Sequence, residues 1–247
     1  MEIDRRVPGF LGRVLDGSAQ PAGTCFQVVP GVLVTAWHVL DGLGAGDVDA
    51  VVQVDPLQGG EPTDAQVARV DPVHDLAVLS VAEPLPESVP GLAATNEVEL
   101  DTKVSIIGVS QVEDPGHSYR YLVASGEWRR GTTRDDQVPL GRLRSADVVP
   151  GMSGAPVRLR DGVVVGVISA RYNSADRWLR DSVWVARTED LAPLLDGLAA
   201  VSVRTRRHTD GTRDLTLTID QSQVRLCGSG VDVTAGHQGV SVALAEP

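Results

Sequence analysis

Short β-like runs recur along this chain, each bounded by turn residues, and no helical periodicity fills the intervals between them. The runs cover residues 28–39, broken at Pro30-Gly31, then 48–54, 65–70, 76–81, 104–109, 119–125, 157–159, 163–169 and 182–186. Strands at this spacing build an all-β barrel or sandwich. The lack of helices between them excludes a parallel α/β sheet, whose crossovers need them. Composition agrees: 39 valines, 26 glycines and 15 prolines favour strands and turns. Asp161-Gly162, between two apolar runs, reads as a hairpin turn. One helix is expected over residues 188–198. Thr188 suits its cap, Glu189 and Asp190 its first turn, and Leu191, Leu194, Leu195 and Leu198 its apolar stripe, with Gly197 near the end.

The texture changes near residue 200. Runs at 201–207, 215–219, 224–227 and 240–244 alternate apolar and polar residues, with Asp210-Gly211 and Gly228-Ser229-Gly230 as turns. Residues 1–200 therefore read as one domain. Residues 201–247 read as a small β appendage, or the start of a further module, that regulates or tethers the domain. A segment that short is near the lower limit for folding alone, so it docks on the domain or belongs to a longer chain.

The chain of 247 residues carries a formal net charge of −11. That is a poor match to a phosphate backbone, so no nucleic-acid partner is expected. No stretch approaches the apolar length of a membrane-spanning helix. The charged opening, Met1 to Arg6, is not followed by the apolar run of a secretory signal. Cys25 and Cys227 cannot form a disulfide framework. A cytoplasmic location is the expectation from these points. There is no Cys-x-x-Cys, no His-Glu-x-x-His and no Gly-x-x-x-x-Gly-Lys, so neither a metal nor another cofactor is expected.

Three segments carry candidate chemistry. His38 closes an apolar run in Thr35-Ala36-Trp37-His38, Asp75 opens one in His74-Asp75-Leu76-Ala77-Val78-Leu79, and Ser153 lies between glycines in Gly151-Met152-Ser153-Gly154-Ala155-Pro156-Val157. Singly, these are a buried histidine, a strand-start aspartate and a tight turn. Together they supply a nucleophile, a base to take its proton, and a carboxylate to orient that base. Asp71 is the alternative carboxylate, without the apolar strand directly behind it. The order His, Asp, Ser differs from the order in subtilisins and in α/β-hydrolases.

On these residues, with Gly23-Thr24-Cys25-Phe26 before them and Val165-Gly166-Val167-Ile168-Ser169 after, the chain resembles trypsin-like (chymotrypsin-fold) serine proteases of the compact bacterial and HtrA-like type. The resemblance implies two antiparallel six-stranded β-barrels, a C-terminal helix, and an active site in the crevice between the barrels. It makes Ser153 the nucleophile, His38 the base, Asp75 the orienting carboxylate, and the Gly151 and Ser153 N–H groups the oxyanion hole. It places Asp147 at the base of the primary substrate pocket and Ser169, Ala170 and Arg171 along its wall. Asp147 then favours a basic substrate side chain, or is instead neutralised by Arg171 or solvated in a loop. His74 is expected to face away from His38, and His117, His208 and His237 to lie at the surface.

Met152 stands where secreted relatives carry the aspartate that pairs with a new N-terminus, and Val39 where they carry a cysteine. Activation by N-terminal cleavage is therefore not expected, and control by a partner protein or an appended domain is. The resulting expectation is an intracellular bacterial serine endopeptidase that acts on protein or peptide substrates through an acyl-enzyme. The alternative is a catalytically silent binding module with the same fold.

Overall fold

The computed structural model describes residues 7–112, 117–134, 136–171 and 180–198, and the backbone of 113–114, 172, 201–207, 213–219, 233–236 and 239–242. The N-terminal half forms six strands: β1 (Leu11–Leu15), β2 (Pro21–Val29), β3 (Val32–Thr35), β4 (Val51–Pro56), β5 (Thr63–Asp71) and β6 (Leu76–Val81). They close into an antiparallel barrel in the order β1-β2-β3-β6-β5-β4. A single helical turn, α1 (Trp37–Asp41), takes the end of the β-like run expected over 28–39.

The uninterrupted apolar runs have a physical cause. In β6, Ala77 and Leu79 fill the first barrel with Leu33, Val54 and Val67, while Leu76 and Val78 face a second cluster with Phe26, Val34, Ile107, Val167 and Leu191. That second cluster joins the two halves of the chain. A strand buried on both faces cannot alternate polar and apolar residues.

The second half adds β7 (Leu92–Ala93), β8 (Lys103–Val109), the two-residue ribbon of β9 (Glu113–Asp114) and β10 (His117–Ser118), then β11 (Tyr121–Thr133), β12 (Pro139–Arg144), β13 (Pro156–Arg158), β14 (Val164–Tyr172) and β15 (Ser182–Arg187). The order β13-β8-β11-β12-β15-β14 closes through β13–β14 pairing into a second six-stranded antiparallel barrel. Ile106, Trp128, Leu143, Val165 and Val185 fill it. The β13–β14 hairpin turns at Asp161-Gly162, with Gly162 at φ +89°.

The helix α2 (Thr188–Leu195) ends three residues earlier than expected, and Thr188 does not cap it. Arg187 occupies the cap position without a side-chain bond, and the Thr188 hydroxyl instead donates to the Ala93 carbonyl (2.6 Å). Leu191 and Leu195 are buried, whereas Leu198 lies beyond the helix and is exposed. In the C-terminal segment β16 (Val201–Arg207) pairs with β17 (Arg213–Ile219), and β17 pairs in turn with β7 at Thr216↔Ala93 and Leu217↔Leu92. A separate hairpin joins β18 (Val233–Gly236) to β19 (Gly239–Val242). The expected run at 224–227 falls outside the described residues. Among the described residues no helix is long and apolar enough to cross a membrane.

Candidate active site

His38 sits on α1. This turn buries Val39 and Leu40 and leaves the imidazole 44% exposed at the barrel edge. The indole of Trp37 anchors the turn by donating to the Gly46 carbonyl (3.0 Å). Asp75 lies in the turn between β5 and β6 with φ +58°, a left-handed conformation that aspartate tolerates better than bulky residues. Asp71 builds that turn: its Oδ1 accepts the N–H groups of Val73 and His74, both at 3.1 Å, and its Oδ2 meets His74 Nδ1 at 2.6 Å. Asp71 is thus committed to His74. The imidazole of His74 also comes within 3.8 Å of Asp190 on α2.

The carboxylate that meets His38 is Asp75. Its Oδ2 is 2.8 Å and its Oδ1 3.0 Å from His38 Nδ1, and Oδ1 also accepts the His38 backbone N–H at 2.9 Å. Ser169 Oγ donates to Asp75 Oδ2 as well. Burial pushes the Asp75 carboxyl up, but the bonds from His38 and Ser169 outweigh it and hold the group below its ordinary range. The bond to Asp75 raises His38 above its ordinary value, against a smaller opposing effect of burial.

Ser153 follows β12 in a loop between two glycines that the backbone requires. Gly154 has φ +85°, and a Cβ there would fall 2.1 Å from the Thr24 carbonyl oxygen. Gly151 has φ +95°. Between them, Met152 is fully buried in the second barrel with Ile106, Trp128 and Leu143. The loop is therefore anchored by an apolar side chain. Ser153 Oγ donates to the Ser169 carbonyl at 3.4 Å. Ser169 sits where β14 shifts register against β15, between Ile168 and Ala170. Such a bulge re-aims a residue, and Ser169 here reaches Asp75 with its hydroxyl and Ser153 with its carbonyl. The sequence marked Ser169 only as a pocket residue. Its bond to Asp75 depends on β14 lying beside the β5–β6 turn, which no local signal announces.

The Pro150 carbonyl accepts the Gln111 N–H at 3.0 Å. Because a trans peptide points its C=O and N–H in opposite directions, this bond turns the Gly151 N–H away from Gln111. Among the described residues, neither the Gly151 nor the Ser153 N–H has an acceptor.

The substrate-side residues depart from one expectation. Asp147 is exposed and accepts from Ser125 Oγ (3.1 Å) and the Ser125 N–H (3.4 Å). It is not a buried unpaired charge, and it does not pair with Arg171. Arg171 donates instead to the carbonyls of Ala146 (3.0 Å) and Val148 (2.7 Å) and to Asp181 (2.9 Å). Ala170 is exposed beside it.

His117 is exposed, as expected, while His208 and His237 fall outside the described residues. Cys25 is free and fully buried, and burial raises its thiol far above the ordinary range, which makes it inert as a nucleophile. Among the described residues no cluster of His, Cys, Asp or Glu could hold a metal ion.

The fold agrees with solved structures at low identity. The active form of the Rv3671c protease from M. tuberculosis is 20% identical with a TM-score of 0.58, over 79% of this chain and 87% of that one. The MamO protease domain from Magnetospirillum magneticum is 18% identical with a TM-score of 0.57, over 77% and 98%. The HtrA-type protease AlgW, solved with a decapeptide, is 15% identical with a TM-score of 0.59, over 81% and 70%. No curated protein sequence matches the chain. The family model of the trypsin-like peptidase domain matches residues 23–167, a span that holds His38, Asp75 and Ser153. The chain therefore belongs to the trypsin-like serine peptidases, a family of hydrolases.

Proposed function

We propose that this chain is a serine endopeptidase with Ser153 as nucleophile, His38 as base and acid, and Asp75 as the carboxylate that orients His38. The observation that carries this reading is the hydrogen bond from His38 to Asp75, braced by the Ser169 hydroxyl, against a loop whose Gly151 and Ser153 N–H groups have no acceptor among the described residues. In the forward half-reaction Ser153 Oγ bonds to the carbonyl carbon of the scissile peptide while its proton passes to His38 Nε2. The carbonyl electron pair moves onto oxygen, where the Gly151 and Ser153 N–H groups receive it. Collapse breaks the C–N bond, His38 returns the proton to the leaving amine, and an acyl-enzyme remains. Water repeats the sequence and releases the acid. Asp75 stays ionised throughout.

One observation favours a silent binding module instead: Ser153 Oγ points at the Ser169 carbonyl. That bond is long, and catalytic hydrogen bonds commonly tighten only once substrate is bound. Treating the full chain with a fluorophosphonate decides between the two. Covalent labelling supports the peptidase, and its absence on folded protein sinks that reading in favour of the binding module.

The same reading predicts a pH profile. Peptide hydrolysis needs neutral His38, whose pKa lies above the ordinary 6.5. Activity rises with pH, and the midpoint of the rise in kcat/KM lies above 6.5. A midpoint below that value counts against the His38–Asp75 assignment. Stability runs the other way for His38. Its ion pair with Asp75 contributes fully below about 6.5 and is lost as pH rises through the raised value. The part contributed by Asp75 is present above 3.8 and lost as pH falls through its depressed value.

Substrate preference follows from Arg171. Its guanidinium is tied to the carbonyls of Ala146 and Val148 and to Asp181, along the wall that the family resemblance gives to the substrate pocket. Small uncharged residues are expected before the scissile bond, tested with a fluorogenic peptide library. Arg171→Gly should admit larger side chains there. A wild-type preference for Arg that disappears in Asp147→Ala would overturn this and restore the basic-residue pocket.

The reading extends to an intracellular bacterial enzyme. Met152 offers no charge to a newly cut N-terminus, so control by a partner protein or by residues 201–247 takes the place of zymogen cleavage.

A further inference from the structure

An oxyanion hole works only if the Gly151 N–H is already aimed when charge develops. Within the loop, the peptide after Gly151 is held at its N–H end, where the Met152 N–H donates to the Val149 carbonyl at 3.2 Å. The carbonyl end of that peptide is held from the other barrel. Thr24 lies on β2 and is fully buried. Its N–H donates to the Ser153 carbonyl (2.8 Å), and its hydroxyl donates to the Gly151 carbonyl (2.9 Å).

The same hydroxyl accepts the Val109 N–H from β8 at 2.9 Å, and the Thr24 carbonyl accepts the Thr35 hydroxyl at 2.7 Å. Every polar atom of Thr24 is thereby used. The hydroxyl has no freedom to reverse: Val109 can only donate to it, and the Gly151 carbonyl can only accept from it. The space around it is closed too, since a Cβ on Gly108 would come within 2.9 Å of Thr24 Oγ1.

We infer that Thr24 is a positioning residue for the oxyanion hole, with its hydroxyl locking the peptide after Gly151 while the Gln111 N–H locks the peptide before it. With both carbonyls held, the φ of +95° at Gly151 is set from two sides and its N–H cannot swing out of the crevice. The lock also ties the geometry of the second-barrel loop to the docking of the first barrel, because Thr24 bridges the two. This inference rests on the peptidase reading.

The test compares the full-length chain with Thr24→Val and Thr24→Ser, using active-site titration, kcat and KM on one peptide, and affinity for a peptide aldehyde. Valine keeps the shape and removes the hydroxyl. Thr24→Val should lower kcat by about 10²-fold with KM within a few-fold, because a slightly misplaced donor acts mainly in the transition state. Aldehyde affinity should fall in parallel, and Thr24→Ser should restore both. If Thr24→Val does not fold, Thr24→Cys replaces it. A thiol is a weak donor of nearly the same size as serine, and it should lose at least about tenfold in kcat against Thr24→Ser. Unchanged kcat and aldehyde affinity in an active, folded Thr24→Val, or equal kcat for Thr24→Cys and Thr24→Ser, would overturn the inference and leave the peptidase reading standing. A wild type that neither cleaves peptides nor takes up fluorophosphonate would overturn both.

Discussion

Ser153→Ala lowers peptide hydrolysis by about 10⁴–10⁶-fold and abolishes fluorophosphonate labelling, with thermal stability close to wild type. The loss is large because the nucleophile, base and carboxylate act as one unit, and removing one strands the other two. The fold survives because little of it rests on that hydroxyl, whose bond is a 3.4 Å contact to the Ser169 carbonyl. The backbone bond from the Thr24 N–H to the Ser153 carbonyl remains in the variant. His38→Ala should lose activity on the same scale and keep the fold, since its imidazole is 44% exposed and, among the described residues, bonds only to Asp75. Turnover of Ser153→Ala within tenfold of wild type, measured with active-site titration, would remove Ser153 from the role of nucleophile.

Asp75→Asn should cost about 10⁴-fold in kcat. Asparagine adopts the left-handed φ of +58° as readily as aspartate, so the turn keeps its shape. What changes is the proton on His38. A carboxylate accepts from Nδ1–H and leaves Nε2 free to take the serine proton. An amide that donates toward Nδ1 reverses the tautomer and puts the proton where the base must act. The Ser169 hydroxyl loses a charged acceptor at the same time. Asp71→Asn is the control. Its carboxylate serves the N–H groups of Val73 and His74 and the His74 ring, so the change should move thermal stability and leave kcat within a few-fold. If Asp71→Asn were the variant that lost activity, the carboxylate assignment would be wrong.

The reach of sequence reasoning is visible in particular elements. Residues 76–81 were legible as a strand because Leu76, Ala77, Val78 and Leu79 form an unbroken apolar run, and the bounds of β6 match it. The strand β11 was legible only to residue 125. Beyond it the chain continues through polar residues to Thr133, with a register shift between Trp128 and Gly131. A polar strand on an open face lacks an apolar signal. Strands β1 and β12 escaped for a related reason: each is short and carries Arg or Gly among its apolar residues, and pairing with its neighbours sets its conformation. The early end of α2 reflects the two aliphatic residues that tertiary packing buries, Leu191 and Leu195. Leu198 has nothing to bury against.

The candidate site divides the same way. Chain order and local context singled out His38, Asp75 and Ser153 as candidates, because each lies in a distinct short motif beside an apolar run. They also determined the two glycines, because a serine presented on a tight turn needs backbone conformations that side chains forbid. The sequence preferred Asp75 over Asp71 for the apolar strand behind it; what only the tertiary structure shows is the turn that commits Asp71 to His74 and brings Asp75 to His38. The tertiary structure also decided the partner of Arg171, which is Asp181 and not Asp147, since the length of a guanidinium side chain lets it reach whichever wall the fold brings near. Thr24 and Ser169 belong wholly to that second category. Their hydroxyls meet Gly151 and Asp75 across 127 and 94 residues of chain. Sequence periodicity reports which face of a strand is buried, whereas bonds of such separation exist only once two closed barrels have docked.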